Sequence, residues 1–365
     1  MNTSADEQRG SRETDTEVAE GPPRSRSLRW SALAPANVSA IYLFAVIVAF
    51  FAWKVPDTFL AVTTVKTILG RDAVTALVAL GLIVPLATGS FDLSVGSALG
   101  MGGVIAGWMQ VKQGYPLWIA VLTAIGVGLL IGTVNALMVV RFRIDSFVAT
   151  LGMSAVVSGL VLGLSNGQQI TGLSAGFKRI AQRQLFGLSY SVYYVLVIAV
   201  VLWVILEHMP LGRYLYATGG GREAARLAGV QTDRYRFGAL VTSSTIAALA
   251  GVIEASTISS ASKDVGATFV LPAFAAAFFG ATQLKGGRFN VWGTCIAVYS
   301  VATGVKGLEL WTDKFWVKDV FYGVVLTVAV GIASVQRGSK ADRGASRVRE
   351  RLISRMRRPS PQRSR

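Results

Sequence analysis

Two carboxylates lie among apolar residues, where a charged side chain is costly unless it faces a bundle interior or a water-filled cavity. Asp92 falls between two apolar runs, and Glu254 falls inside a third. Such residues indicate a translocation path or a gate, or else a structural role. For Asp92 the structural alternative is capping of the helix that follows it, helped by Ser94. For Glu254 the alternatives are a buried ion pair and a position near the outer membrane surface.

A polar, basic stretch between two apolar runs could form a short helix that docks another protein. Residues 219–229 read GGGREAARLAG, in which alanine and leucine favour a helix after three glycines and the last glycine can end it. The alternative is a solvated loop with one helical turn. The predicted docking helix comprises Gly221, Arg222, Glu223, Ala224, Ala225, Arg226, Leu227, Ala228 and Gly229.

Catalytic signatures give little support to an enzyme. The sequence has no G-x-x-x-x-G-K-[ST] loop to hold ATP phosphates and no H-E-x-x-H motif. A single histidine, His208, and a single cysteine, Cys295, offer no intramolecular disulfide and no cysteine metal site. We therefore expect no catalytic residue, no metal and no cofactor bound by this chain.

The composition is that of a membrane protein. Of 365 residues, 52% are hydrophobic and only 15% are charged, whereas soluble proteins carry about 25% charged residues. The net charge of +16 would suggest nucleic acid in a soluble protein. Here the excess lies largely in short loops and in the C-terminal tail, which favours membrane orientation and contact with anionic lipid over nucleic-acid binding.

Ten apolar segments can form helices in the membrane, which needs roughly 20 residues per crossing. Glycines four residues apart let such helices approach closely, as at 96/100, 103/107, 128/132 and 159/163. The predicted fold is all-α, a polytopic membrane helix bundle of about ten transmembrane helices spanning 38–335, between a disordered tail (1–37) and a basic tail (336–365). The segments are 38–53, 73–88, 95–110, 117–140, 147–164, 190–206, 237–258, 267–281 (short, with Pro272), 291–308 and 320–335.

Alternating these segments from a cytoplasmic N-terminus places both termini inside. The inner loops then carry most of the arginines, as the positive-inside rule expects. Lys178, Arg179 and Arg183 are the exception, because they fall in an outer loop. That loop is predicted to contain an amphipathic helix lying on the outer face.

Several motifs resemble those of ribose-type ABC transporter permeases, in the same order along the chain. GSFDLSVGS at 89–97 is similar to the family's G-G-I-D-L-S-V-G-S signature, and TLG at 150–152 followed by SNG at 165–167 is similar to its T-L-G and N-G pair. GRYLYATGG at 212–220, continuing to residue 229, resembles a cytoplasmic segment of the family. Further similar stretches lie at 249–254 and 279–282, so the resemblance covers about residues 38–335.

The resemblance implies a bacterial plasma-membrane permease, multi-pass with both termini cytoplasmic, that imports a ribose-like sugar or related polyol. A separate ABC ATPase subunit would bind ATP, a second permease subunit, identical or related, would complete the pathway, and an extracytoplasmic sugar-binding protein would deliver the sugar. Residues 221–229 would be the coupling helix that contacts the ATPase. Candidate pathway or structural residues are Asp92, Ser94, Gly96, Ser97, Asn135, Thr150, Asn166 and Glu254.

Two segments depart from the family pattern. FVLPAFAA at 269–276 replaces a common Y-E-L-D-A-I-A-A, and VKGLEL at 305–310 replaces N-N-G-L-N-L. Both are expected to border the outer mouth or the pathway, so the sugar class is predicted but ribose itself is not. The alternative function is a stand-alone secondary transporter or channel, for which Asp92 and Glu254 are the evident acidic candidates near the apolar stretches.

Overall fold

A computed structural model describes residues 35–283, 287–312, 314 and 316–332. The predicted tail at 336–365 lies outside the described residues. So does the tail at 1–37, except for its last three residues, which belong to the first helix. Lys285 and Gly286, on one of the predicted inner loops, also lie outside them.

Each of the ten apolar segments forms a helix over its described residues, because each is apolar along its length and bounded by Gly, Pro or polar residues. Shorter helices that were not among the ten lie between them. The helices are α1 (Pro35–Lys54), α2 (Pro56–Phe59), α3 (Val62–Arg71), α4 (Ala73–Ala87), α5 (Val95–Val111), α6 (Leu117–Val140), α7 (Ser146–Ser165), α8 (Ala175–Gln182), α9 (Tyr190–Trp203, continued by a π-helical turn, Val204–His208), α10 (Pro210–Gly220), α11 (Arg222–Leu227), α12 (Thr232–Thr257), α13 (Val265–Gln283), α14 (Val291–Thr312) and α15 (317–332).

Within the described ranges, six helices are long and apolar enough to cross a membrane: α6, α7, α9 with its π-helical turn, α12, α13 and α14. A seventh span results if α3 and α4, which meet at an angle of 40°, cross as one bent pair. α5 and the apolar part of α1 are shorter. The chain is therefore a multi-pass helical protein with six or seven spans by length and composition, and the count of ten stays a prediction.

α8 is the predicted amphipathic helix between α7 and α9. Ser174 caps its start by accepting a hydrogen bond from the Phe177 N–H (3.2 Å). Its apolar face packs on α12, where the Ser256 hydroxyl donates to the Phe177 carbonyl (2.8 Å). A β-hairpin with two-residue strands follows α8, in which β1 (Gln184–Leu185) pairs antiparallel with β2 (Leu188–Ser189). Over the described residues, these two short strands differ from the predicted all-α fold.

α12 is the central helix of the bundle and contacts α4, α5, α6, α8, α10 and α11. Glycines allow this contact, because a Cβ at Gly251 would overlap the Leu99 carbonyl oxygen of α5, and a Cβ at Gly132 would overlap Val241. In three predicted pairs (96/100, 103/107 and 128/132), an added Cβ would overlap a neighbouring helix at Gly96, Gly103, Gly128 and Gly132. Gly107 instead lies against the loop residue Ala261, and Gly100 makes only ordinary contacts of 3.8 Å or more. The fourth pair, Gly159 and Gly163, has no atom within 4 Å of an added Cβ, so it faces away from the described chain.

Replacing Gly251 by alanine is expected to destabilise the bundle. The added methyl group would push α12 from α5, and overpacking of this kind costs roughly 1–3 kcal/mol. Gly238→Ala is a matched control in the same helix, since nothing lies within 4 Å of its added Cβ. Thermal unfolding in detergent, followed by size-exclusion chromatography, should show a lower midpoint for Gly251→Ala only. Equal midpoints for the two variants would contradict the packing argument.

Candidate functional site

The loop between α4 and α5 buries Ser90, Asp92 and Ser94 in the bundle, where hydrogen-bond donors surround Asp92. Asp92 Oδ1 accepts from the Ser94 hydroxyl (2.6 Å) and the Ser94 N–H (3.1 Å). Asp92 Oδ2 accepts from the Ser244 hydroxyl of α12 (3.3 Å). The Ser94 hydroxyl in turn accepts from Asn135 Nδ2 of α6 (2.7 Å). Because a buried carboxylate without donors is costly, these contacts fix the positions of α5, α6 and α12 around the loop.

The structural alternative for Asp92, that its side chain caps the N-terminus of α5, agrees with the structure only in part. Its carboxylate binds the N–H of Ser94, the residue directly before α5, and not an N–H inside the helix. Ser94 itself makes no side-chain cap to α5. Asp92 therefore orients the entry into α5 and connects it to α6 and α12.

The first turn of α7 holds the backbone of the same loop. The Phe91 N–H donates to the Ser146 hydroxyl (3.0 Å), and the Leu93 N–H donates to the Thr150 hydroxyl (3.0 Å). Six of the eight predicted site residues thus gather around this loop. They are Asp92, Ser94, Gly96, Ser97 (whose hydroxyl donates to the Ser94 carbonyl, 2.9 Å), Asn135 and Thr150.

The predicted docking stretch forms α11, one short helix between two glycines. Gly221 precedes it, and Gly229 ends it in a left-handed conformation (φ +84°) that favours glycine. Arg222 joins α11 to the start of α12 through an ion pair with Asp233 (2.7 Å). Leu227 is 88% exposed, with charged side chains beside it. α11 therefore presents a mixed charged and apolar surface at one end of the bundle.

The end of α10, next to α11, is in direct contact with the buried loop. A Cβ at Gly219 would overlap the Ala87 carbonyl oxygen at the end of α4. Nearby, Arg236 of α12 is only 9% exposed, and its Nε donates to the Ser90 hydroxyl (2.9 Å). The docking stretch and the Asp92 loop are thus parts of one packed unit.

A second contact ties α10 to the segment that precedes α14. The Tyr216 hydroxyl donates to the Phe289 carbonyl (2.7 Å), and the Arg288 guanidinium lies 3.5 Å from the centre of the Tyr216 ring. Burial raises the pKa of the Tyr216 phenol, although nearby Arg288 acts in the opposite direction. The phenol accordingly stays protonated and keeps its donor at neutral pH.

The opposite ends of α4 and α12 border a cavity of about 1260 Å³, whose lining combines nine charged side chains with apolar ones. Glu254, near the C-terminal end of α12, is the predicted site residue that lines it. Asn166 lies outside the cavity lining and forms the left-handed C-cap of α7 (φ 50°). The structure therefore separates Glu254 from the group around Asp92.

The two segments that depart from the family pattern meet at this cavity. Phe269 and Pro272 of α13 line it together with Lys306 and Glu309 of α14. Lys306 Nζ and Glu309 Oε2 lie 3.8 Å apart. Both segments were predicted to border the outer mouth or the pathway, and in the structure they line one cavity.

Arg71 and Asp72 also line the cavity, and the sequence analysis missed them. They stand directly before a fully apolar run, the sequence of α4. The signal that could have found them is a pair of charges between two apolar stretches, since α3 is apolar in part as well. Such a pair inside one bent span indicates a polar wall.

Motifs and clusters that could carry enzyme chemistry can be compared with the geometry of the described residues. No group of three or more His, Cys, Asp or Glu there could hold a metal ion. GLSNG at 163–167 and GLSAG at 172–176 match the G-x-S-x-G pattern of nucleophilic serines, but neither serine follows a strand. His208 packs edge-on against Trp203, 4.5 Å between ring centres, at the α11 end of the bundle.

A multi-pass helical bundle with a polar cavity at one end and an exposed short helix at the other is typical of a membrane transport protein. The family described as "Branched-chain amino acid transport system / permease component" matches residues 64–330. The chain belongs to this family, and its resemblance to ribose-type ABC importer permeases is confirmed.

Three relatives cover most of the chain. It is 30% identical to the ribose import permease protein RbsC of Haemophilus influenzae over 289 residues, which is 78% of this chain and 89% of the relative. It is 26% identical to the D-allose transport system permease protein AlsC of Escherichia coli over 317 residues (87% and 96%). It is 32% identical to the autoinducer 2 import system permease protein LsrC of Salmonella typhimurium over 291 residues (80% and 84%). No solved structure matches the chain.

Replacing Asp92 by alanine is expected to lower stability, because the donors of Ser94 and Ser244 would be left unpaired at about 1–3 kcal/mol each. Asp233→Ala is the matched control. It removes a carboxylate from a half-exposed ion pair, and such pairs contribute at most about 1 kcal/mol. Thermal unfolding in detergent measures both variants. A loss for Asp92→Ala no greater than that for Asp233→Ala would show that the buried contacts do not stabilise the bundle.

Proposed function

We propose that this chain is the membrane-spanning permease subunit of an ATP-binding-cassette importer for a monosaccharide, a ribose-like sugar or a related polyol. One observation carries the proposal: a member of a permease family has a polar cavity and an exposed short helix at opposite ends of the same two helices, α4 and α12. The cavity receives the sugar, and the helix receives the ATPase. ATP is bound and hydrolysed by the partner subunit and not by this chain.

The substrate class is supported by the relatives and by the cavity. The relatives are named for import of ribose, D-allose and autoinducer 2. At about 1260 Å³ the cavity is larger than the roughly 300–1,000 Å³ that is usual for small-molecule sites. It therefore has room for a monosaccharide. Because its walls include residues of both departing segments, 269–276 and 305–310, we propose the sugar class and not ribose itself.

The partner and the orientation are supported by the α11 end of the bundle. The exposed basic residues there include Arg141, Arg143, Arg213, Arg226 and Arg234. Under the positive-inside rule this end is cytoplasmic, where an ATPase docks. In this arrangement the ten apolar helices are ten spans in the bacterial plasma membrane and both termini are cytoplasmic. A second permease subunit completes the pathway, and a sugar-binding protein delivers the substrate from outside.

The double variant Glu223→Ala and Arg226→Ala is expected to abolish capture of the ATPase, because it removes two of the three exposed charges of α11 and leaves only Arg222, which is paired with Asp233. Arg179→Ala is the control, since Arg179 is an exposed arginine on α8 at the cavity end. The tagged chain is solubilised from the membranes of its own organism, and the proteins that co-purify are identified. We expect an ABC ATPase with the wild type and with Arg179→Ala, and its loss with the double variant.

The opposite result would favour a stand-alone carrier. It would consist of a homo-oligomer without ATPase in several detergents, together with sugar uptake that collapses when the proton or sodium gradient is dissipated.

A further inference from the structure

We propose that Arg71, Asp72 and Glu254 form a binding site for the hydroxyl groups of a neutral polyol at the inner end of the cavity. The inference rests on the proposed import of a sugar and assigns the residues that contact it. Its basis is the placement, pairing and charge of these three side chains.

The helix geometry brings the three residues to one place. α3 and α4 meet at an angle of 40°, with Arg71 ending the first and Asp72 preceding the second. α4 packs along α12, where an added Cβ at Gly81 would lie 3.3 Å from Ile246. The cavity ends of α4 and α12 are therefore neighbours, and the bend of one faces Glu254 of the other.

Glu254 marks the inner end of the cavity. Besides the large cavity, it borders a small gap between α5 and α12 that is also lined by Gly100, Gly103 and Gly251. At Gly103 and Gly251 the two helices pack backbone to backbone. A ligand at Glu254 therefore lies where the large cavity narrows to the small gap. For the ligand to move beyond this gap, α5 and α12 must separate.

The three side chains keep their hydrogen-bonding capacity. Arg71 lines the same cavity as both Asp72 and Glu254. Yet none of the three takes part in an ion pair within 4 Å or in a side-chain hydrogen bond over the described ranges. Lys306 and Glu309, on the same wall, are paired with each other. The unpaired groups are thus free to bind a ligand.

The chemistry of these groups matches a polyol. A guanidinium donates hydrogen bonds to hydroxyl oxygens, and a carboxylate accepts them from hydroxyl hydrogens. A polyol offers both functions on neighbouring carbons. The described cavity lining carries four basic and five acidic side chains, so its formal charge is near zero and selects no ion. Sites that hydrogen-bond a substrate hydroxyl reject analogues that lack it.

The experiment uses the full transporter, expressed with its own partners in cells that lack other uptake of the test sugars. The variants are Arg71→Gln, Asp72→Asn and Glu254→Gln, each nearly isosteric. Asp57→Asn is the control, because Asp57 of α2 is an exposed carboxylate outside the cavity lining. Radiolabelled neutral pentoses, hexoses and pentitols and their deoxy analogues are the probes, and co-purified ATPase reports intact assembly.

We expect each of the three variants to lose roughly fivefold or more in uptake, with the ATPase retained. An amide can still hydrogen-bond a hydroxyl group, but without the charge that about doubles the strength of the bond. The control should stay near wild type. The discrimination between a sugar and its deoxy analogue should also shrink. Since one binding protein serves every variant, a changed ratio reports the permease. Glu254→Asp keeps the charge and should restore part of the uptake, which a folding defect would not allow.

Two other results overturn the inference. If the wild type imports a sugar and all three variants match it in rate and discrimination, the site is wrong while the proposed function stands. If the assembled wild type imports none of these neutral compounds, the proposed function fails and the inference fails with it.

Discussion

A carboxylate buried in an apolar bundle must be surrounded by donors, and Asp92 imposes this requirement on the elements around it. Its oxygens accept hydrogen bonds from the hydroxyls of Ser94 and Ser244, and Asn135 of α6 donates a hydrogen bond to the Ser94 hydroxyl. Ser146 and Thr150 of α7 then hold the loop backbone. In a membrane, burial of apolar surface distinguishes poorly between one helix neighbour and another, because lipid is as apolar as leucine. Directional polar contacts of this kind, and close approach at glycine, therefore fix which helices meet.

α12 connects the two ends of the molecule. Its 26 residues extend roughly 39 Å at 1.5 Å per residue. The N-terminal half of α12 carries the ion pair to α11, the hydrogen bond from Arg236 to Ser90 and the hydrogen bond from Ser244 to Asp92. Near its C-terminal end, Glu254 lines the cavity. Under the proposed function, a displacement that the ATPase imposes on α11 reaches the cavity through one regular helix. α4 runs beside it, with Gly219 packed on its one end and Asp72 at the other, so the pair can move as a unit.

The two ends of the bundle are built differently. At the α11 end, backbones touch at glycine and nearly every polar group of the buried loop is engaged. At the cavity end, the bend between α3 and α4 leaves charged side chains facing open space. A transporter needs both conditions, because a closely packed end transmits force and an open polar end admits substrate. The two segments that depart from the common family pattern, 269–276 and 305–310, both contribute residues to the cavity end.

The sequence by itself determined the helices, the membrane class and the family. Apolar length and Gly or Pro punctuation are local properties, so the limits of the apolar segments, and α11 with its terminal Gly229, could be predicted closely. Only the tertiary structure decided which side chains meet. It placed Asp92 with Asn135 and Thr150 but Glu254 with Arg71 and Asp72, made Asn166 a helix cap, and turned Gly159 and Gly163 away from the bundle. The physical reason is that periodicity records which residues avoid water, whereas contacts between residues far apart in the chain depend on how the helices cross and bend.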